Sequence, residues 1–469
     1  MGPLGVCFFL LFCLLSASSE GGTIGVNYGR VADNLPSPSS VVQLLKANNI
    51  THVKIFDADS EVLNALAGSD IEVTVMVPNQ LLQTTATSPS FAALWVQDNV
   101  APYYPLTKIQ AIAVGNEIFD DPTNLTSYLV QAMINVQAAL VKLDLDNDIK
   151  VSTPVALSAL QSSYPPSAGA FRTDLAETVM MPMLQFLRKT GSYLMVNVYP
   201  FFAYEANAND ISLDYALFRP NAGVLDSGSG LTYYNLLDAQ VDAVVYAMSA
   251  LNYDDVPISI SETGWPSEGD PNELGADVMN AAAYVGNLIS RVQSGTCGTP
   301  KRPHCNMNVY LFALFNENQK PGPTSERNYG MFYPNEQKVY DVNFILGNSN
   351  SSSSSGNNNG TSNNGGNVRS SSNGNSSETW CIADPSAGKE RLQMALDFAC
   401  GEGGADCTAI QPGAECYEPN TIEAHASYAF NNYYQKNGKG SWNCNFGGAA
   451  YVVSQAPKIG KCTLPSSTN

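Results

Sequence analysis

Two glutamates stand out by what precedes them. Glu117 follows the apolar run Ile109–Val114 (IQAIAV) through Gly115 and Asn116, and Glu262 follows Pro257–Ser261 (PISIS) directly. Two carboxyl groups that face each other across a cleft can cleave a glycosidic bond. One stays protonated and gives its proton to the leaving oxygen, while the other attacks the anomeric carbon. A gap of roughly 5–5.5 Å between them gives retention of configuration, and a wider gap gives inversion. Either glutamate alone is better read as a helix N-terminal residue, where the helix dipole favours a negative side chain. Together, with amides and aromatics at other strand ends, they point to a site.

Those neighbours sit at comparable positions. One run ends in Asn27-Tyr28-Gly29-Arg30, another in Asn197-Val198-Tyr199-Pro200, and the last in Phe315-Asn316-Glu317-Asn318-Gln319-Lys320. Asn116 and Asn197 offer amides to sugar hydroxyls. Tyr28, Tyr199, Phe202 and Phe315 offer rings, although core packing competes for every aromatic. Glu317 and Lys320 read either as a pair that tunes the carboxylates or as a surface ion pair. Aldolase-like and metal-dependent barrels compete with the glycosidase reading. Metal is disfavoured, because the three histidines, His52, His304 and His425, all lie away from expected C-terminal strand ends. No cofactor is expected.

The positioning elements follow from periodicity. Eight near-continuous apolar runs start at Thr23, His52, Ile71, Ile109, Lys150, Tyr193, Pro257 and Asn308. Amphipathic patterns such as SVVQLLKAN, EVLNALAG, YLVQAMINVQAALVKL and AAAYVGNLISRVQ lie between most of them. Apolar strands alternating with helices predict a parallel sheet with its outer face covered. Eight units within residues 23–346 fit an α/β (β/α)8 TIM barrel, whose strand C-termini build the site. A doubly wound open sheet is the alternative, but Asn27-Tyr28-Gly29 is no dinucleotide fingerprint.

The chain of 469 residues carries a net charge of −19. That surface repels nucleic acid and does not attract anionic lipid, but suits a neutral polymer. Residues 1–19 read as a signal peptide, with the apolar run LGVCFFLLFCLLS ahead of Ala17-Ser18-Ser19. The run is too short to be a membrane span, and no apolar tail suggests a lipid anchor. A secreted monomer, at the cell exterior or wall, is expected. Cys7 and Cys13 leave with the signal, so eight cysteines remain for an oxidising compartment. Sequons stand at Asn49, Asn124, Asn350, Asn359 and Asn375. Residues 347–378 are Ser, Asn and Gly with little else, which predicts a flexible linker. A cysteine-rich module follows at 379–463. Cys297 and Cys305 bracket a loop before the eighth run and are read as a loop-closing disulfide.

The stretch Ile258–Ser267 (ISISETGWPS) resembles the nucleophile signature of plant glycoside hydrolase family 17. IGVNYG, VKIFDAD, VGNE, VNVYPFFAY and YPN match further family segments in the same order, across residues 24–346. The resemblance implies a retaining β-1,3-glucan endohydrolase with a TIM barrel, Glu117 as acid/base and Glu262 as nucleophile. It adds that Asn116 holds a sugar 2-hydroxyl, and that Glu317 and Lys320 form an acidic–basic pair near the site. Trp265 is read as support for the nucleophile loop. An enzyme of mixed-linkage glucan, a transglycosylase and a non-catalytic glucan-binding glycoprotein remain alternatives.

Cys381, Cys400, Cys407, Cys416, Cys444 and Cys462 allow fifteen pairings, among which spacing cannot choose. TWCIADP, QMALDFACG, AFNNYYQ and CNFGGAA resemble carbohydrate-binding module family 43. That resemblance implies the pairs Cys381–Cys444, Cys400–Cys407 and Cys416–Cys462, and binding to β-1,3-glucan. Tyr428, Phe430, Tyr433 and Tyr434 are candidate sugar contacts, although their helical spacing puts some of them in the core.

Overall fold

A computed structural model describes residues 22–294, 298–304, 307–344 and 379–466, apart from positions 402, 438, 440, 445, 447–448 and 454–455. The expected signal peptide, the linker, Cys297, Cys305, Asn350, Asn359 and Asn375 lie outside the described residues. Asn49 and Asn124 are both exposed.

The eight apolar runs form the barrel strands β1 (Ile24–Tyr28), β2 (His52–Ile55), β3 (Glu72–Val77), β4 (Lys108–Val114), β5 (Lys150–Ser152 with Pro154–Ala156), β6 (Leu194–Asn197), β7 (Ile258–Thr263) and β8 (Asn308–Leu311). All neighbours run parallel, and β8 pairs with β1 to bring the sheet round on itself. β5 is in two pieces, Lys150–Ser152 on β4 and Pro154–Ala156 on β6. Pro154 has no N–H to continue a ladder, and its carbonyl accepts the Glu117 N–H at 3.0 Å. The strand break thereby supports the residue that follows β4.

The expected helices are Pro38–Ala47, Ser60–Leu66, Leu129–Lys142 and Val278–Gln293. Ser37, Asp59 and Asp277 cap three of them by accepting first-turn N–H groups, which satisfies donors a helix cannot pair internally. Their apolar stripes pack on the outer sheet face. Leu129, Met133, Val136 and Leu140 are each at most 1% exposed.

Two strand ends differ from the sequence reading. β7 runs on to Thr263, so Glu262 lies inside the ladder. β8 stops at Leu311 although the apolar run continues to Phe315. The segment after Leu311 keeps single bonds to its barrel neighbours, Phe312 N–H to Thr263 O and Leu314 N–H to Asn27 O, both 2.8 Å, and also pairs with 329–332, through Ala313 N–H to Tyr329 O and Met331 N–H to Ala313 O, both 2.9 Å. A continuous apolar run marks burial, and burial alone does not say where a ladder ends.

The C-terminal module holds an antiparallel pair, Trp380–Ala383 with Ala450–Val453, against helices Lys389–Cys400 and Ile422–Lys436. Disulfides join Cys381 to Cys444, Cys400 to Cys407 and Cys416 to Cys462. Tyr428, Phe430, Tyr433 and Tyr434 are not surface platforms. All four are buried, and Phe430 stacks on Phe446 at 4.1 Å. Their spacing reports the inner face of a helix. Among the described residues no helix is long and apolar enough to cross a membrane.

Candidate active site

The strand C-termini open into a cleft of about 730 Å³ that both glutamates line. β7 delivers Glu262 by a bulge. Ile260 stands opposite Val196 and Glu262 opposite Asn197, the very next residue, so Ser261 is extra. A bulge lets successive side chains turn to one side. Here Ser261 Oγ donates to Asn197 Oδ1 at 2.7 Å, while Glu262 meets Lys54 and Tyr199. Gly264 keeps the next turn close, since a Cβ there would stand 2.1 Å from the Phe312 carbonyl oxygen.

The Glu262 carboxylate accepts a bond from Lys54 Nζ at 2.7 Å and one from Tyr199 OH at 2.9 Å. Lys54 is wholly buried. Burial pushes its pKa down, and the Glu262 charge opposes that. Its ammonium also reaches Asn27 Oδ1 at 3.2 Å and lies 4.1 Å over the Phe56 ring. Asn27 is oriented for this by donating its Nδ2 to the carbonyls of Ser261 and Tyr310. A buried ammonium needs such partners, because stripping its hydration is otherwise prohibitive.

Glu117 is delivered by a different device. Gly115 and Glu117 both adopt left-handed backbone, at φ 69° and 50°. A Cβ on Gly115 would come within 2.6 Å of the Ile118 side chain. A non-glycine residue in this region is held there by its surroundings. Asn79 does the holding, accepting the Asn116 N–H at 2.8 Å and donating to the Asn116 carbonyl at 3.0 Å. The Glu117 side chain accepts from Asn197 Nδ2 at 2.9 Å, and Asn197 also reaches Asn116 Oδ1 at 3.4 Å. Burial first, then the negative charge of Glu262, push the Glu117 pKa up to about 7. The Asn197 bond and the Lys54 charge act in the opposite sense.

Among the other sequence candidates, the structure brings Asn116, Asn197, Tyr199, Phe202, Glu317 and Lys320 into the cleft wall. Glu317 is 3% exposed and accepts the Val31 N–H at 2.8 Å. Its pKa is raised by burial, with Lys320 opposing. Lys320 lies 3.9 Å from Glu317, 3.7 Å from Glu326 and 4.1 Å over Phe312, so the pair belongs to the cleft and not to the outer surface. Gly29 makes room for it, since a Cβ there would sit 2.3 Å from the Glu317 carboxyl.

Tyr28 and Phe315 do not line the cleft. They are buried edge to face, 6.1 Å apart, in the barrel core. Phe315 lies beyond the true end of β8, where the chain has turned to pair with Phe332. Trp265 is fully buried, donates Nε1 to the Gly275 carbonyl at 2.7 Å and packs on Phe201. It braces the loop after β7.

Sequence reasoning missed Lys54, Asn27, Asn79, Ser261, Phe312 and Tyr329. Lys54 left one signal, a lysine inside the apolar run HVKIF, where a charge must find a partner across the barrel. Among the described residues no group of three or more His, Cys, Asp or Glu side chains is placed to hold a metal ion. His52 faces Glu72 at 3.3 Å at the start of β2, and His425 bonds the Tyr417 carbonyl.

Residues 24–344 match the model of Glycosyl hydrolases family 17, and residues 379–451 match the X8 domain. Glucan endo-1,3-beta-glucosidase 13 of Arabidopsis thaliana is 45% identical over 454 residues, covering 96% of this chain and 87% of that protein. The glucan endo-1,3-beta-D-glucosidase of Olea europaea is 41% identical and covers 98% of each chain. Among solved structures, CJP38, a beta-1,3-glucanase and allergen of Cryptomeria japonica pollen, is 47% identical with a TM-score of 0.66, over 69% of this chain and all of that one. With the barrel, the strand-end carboxylates and these matches in agreement, the chain belongs to glycosyl hydrolase family 17, with an X8 domain appended.

Proposed function

We propose that this protein is a secreted endo-hydrolase of (1→3)-β-D-glucosidic linkages in β-1,3-glucan, working with retention through Glu117 as acid/base and Glu262 as nucleophile. One observation carries the division of labour: the two carboxyls occupy opposite environments. Glu117, burial-shifted to about 7, holds a proton for the leaving oxygen. Glu262 accepts bonds from an ammonium and a phenol, which fix its carboxyl in the cleft as the nucleophile for the anomeric carbon. In the first step Glu262 bonds to that carbon while Glu117 protonates the departing sugar. In the second, Glu117 takes a proton from water, and the water oxygen displaces Glu262. Asn116 is positioned to hold a hydroxyl of the reacting sugar.

The disulfide-bonded module holds the enzyme on its polymer, so the linker raises local substrate concentration without fixing geometry. Callose and fungal wall glucan, both uncharged, suit the acidic chain. Hydrolysis of laminarin by wild type, Glu117→Gln and Glu262→Gln tests the assignment, with mixed-linkage glucan as the control substrate. Near-normal laminarin hydrolysis by either variant removes that residue from its role. The anomer released first, read by proton NMR, decides retention.

A further inference from the structure

Arg30 has no use in the mechanism above, yet it stands in the cleft wall between Gly29 and Val31. It lies just past β1, and both of its ends are tied down. On the backbone side, Glu317 accepts the Val31 N–H at 2.8 Å, and the Val31 carbonyl accepts the Gln319 N–H at 3.1 Å. On the side-chain side, the guanidinium pairs with Asp57 through Nη2 and with Asp59 through Nη1, the latter at 3.1 Å. Asp57 follows Phe56, itself part of the cleft wall, whereas neither aspartate lines the cleft. A guanidinium carries more N–H donors than two such contacts take up. Among the described residues no other group accepts from the Arg30 side chain. That side chain is 27% exposed, so a ligand in the cleft can reach it.

Barrel order says which part of a bound chain it meets. The departing half takes its proton from Glu117, just past β4, and the retained half is bonded to Glu262 on β7. Only β8 separates β1 from β7, while β2 and β3 separate it from β4. Arg30 therefore stands on the Glu262 side. We propose that Arg30 donates to a hydroxyl of a glucosyl unit in the half of the chain that Glu262 retains, and so sets how many units the enzyme prefers ahead of the bond it cuts. The aspartates fix the guanidinium before substrate arrives, so little side-chain freedom is lost on binding. A charged donor also gives a stronger bond to a hydroxyl than a neutral one. The inference rests on the glucanase reading, and its test separates the two.

Laminarihexaose labelled at its reducing end reports which bond is cut, through the masses of the labelled fragments. In Arg30→Met, kcat/KM for cuts that place a unit at Arg30 is expected to fall about tenfold, the size of one charged hydrogen bond. Cuts with fewer units on the Glu262 side should keep their rates within twofold, so the labelled fragments become longer on average. Arg30→Lys, which keeps a cation for the aspartates without the guanidinium fork, replaces the methionine variant if the latter does not fold. A loss spread equally over all bonds overturns the proposal and makes Arg30 only a clamp between two loops. An unchanged fragment pattern with kcat/KM within twofold of wild type overturns it as well. A wild-type enzyme that cuts neither the hexaose nor laminarin sinks the glucanase reading instead.

Discussion

Replacing Glu117 with glutamine tests both the chemistry and the physics of the site. The substitution keeps an acceptor for Asn197 Nδ2 and mimics the protonated acid, so geometry is preserved. Folding raises the Glu117 pKa from the ordinary carboxylate value to about 7. The native state therefore holds the proton more tightly than the unfolded chain. The stability this contributes is fully present below about pH 4.5 and is lost as pH rises through about 7. A shift of this size corresponds to about 3 kcal/mol, at about 1.4 kcal/mol per unit. Glutamine carries no such penalty. Relative to wild type, Glu117→Gln should gain stability progressively between about pH 4.5 and 7 and hold a constant advantage above. For a domain of this length, about 3 kcal/mol converts to roughly 4 °C in Tm. Calorimetric scans of both proteins at several pH values give the difference directly, because other titrating groups cancel. Activity should move the opposite way. Loss of a general acid costs about 10²- to 10⁴-fold on laminarin, and an aryl glucoside whose leaving group needs no proton should recover much of it. The wild-type kcat/KM profile should fall on the alkaline side near pH 7. A Tm difference that does not vary with pH, or an alkaline limb far above 7, would refute the burial argument.

Lys54→Met leaves Glu262 without its buried cation. Stability should drop by about 3 kcal/mol and kcat by about 10- to 100-fold, with partial recovery in Lys54→Arg; activity within twofold of wild type would mean the 2.7 Å bond is idle. Gly29→Ala forces a methyl against the Glu317 carboxyl. It should lower kcat/KM by about tenfold while costing about 1–3 kcal/mol of stability, measured by steady-state kinetics and a urea melt. Asn197→Ala removes the one side-chain bond that favours ionised Glu117. The alkaline limb of the pH profile should move upward, and a downward move would mean that bond is not opposing the shift.

The sequence made the barrel legible because parallel strands covered on both faces read as apolar runs, and eight of them are countable. Glu117 and Glu262 were legible because the residues after such runs gather at one face. What stayed hidden depends on partners across the barrel. Lys54 meets Glu262 over a sequence distance of 208 residues, and Asn79 clamps Asn116 from the end of a neighbouring strand. No local pattern encodes either contact. Phe315 was misplaced for the opposite reason. After Asn308 the stretch NVYLFALF is apolar throughout, and the residues beyond Leu311 share their backbone bonds with segment 329–332 without any breaker residue to mark the change.

The Asn197 side chain bonds Glu117 with its nitrogen and receives Ser261 with its oxygen. With Ser261 donating to the amide oxygen, the amide nitrogen is the end that faces Glu117. A double-displacement enzyme must give up its acid proton in one half-cycle and reclaim one in the next. Burial favours the proton-bearing form and the Asn197 donor favours the bare one. Set against each other, they leave Glu117 two states of nearly equal free energy near neutral pH. The outcome is a reversible proton store whose set point is written partly into a serine on the opposite strand.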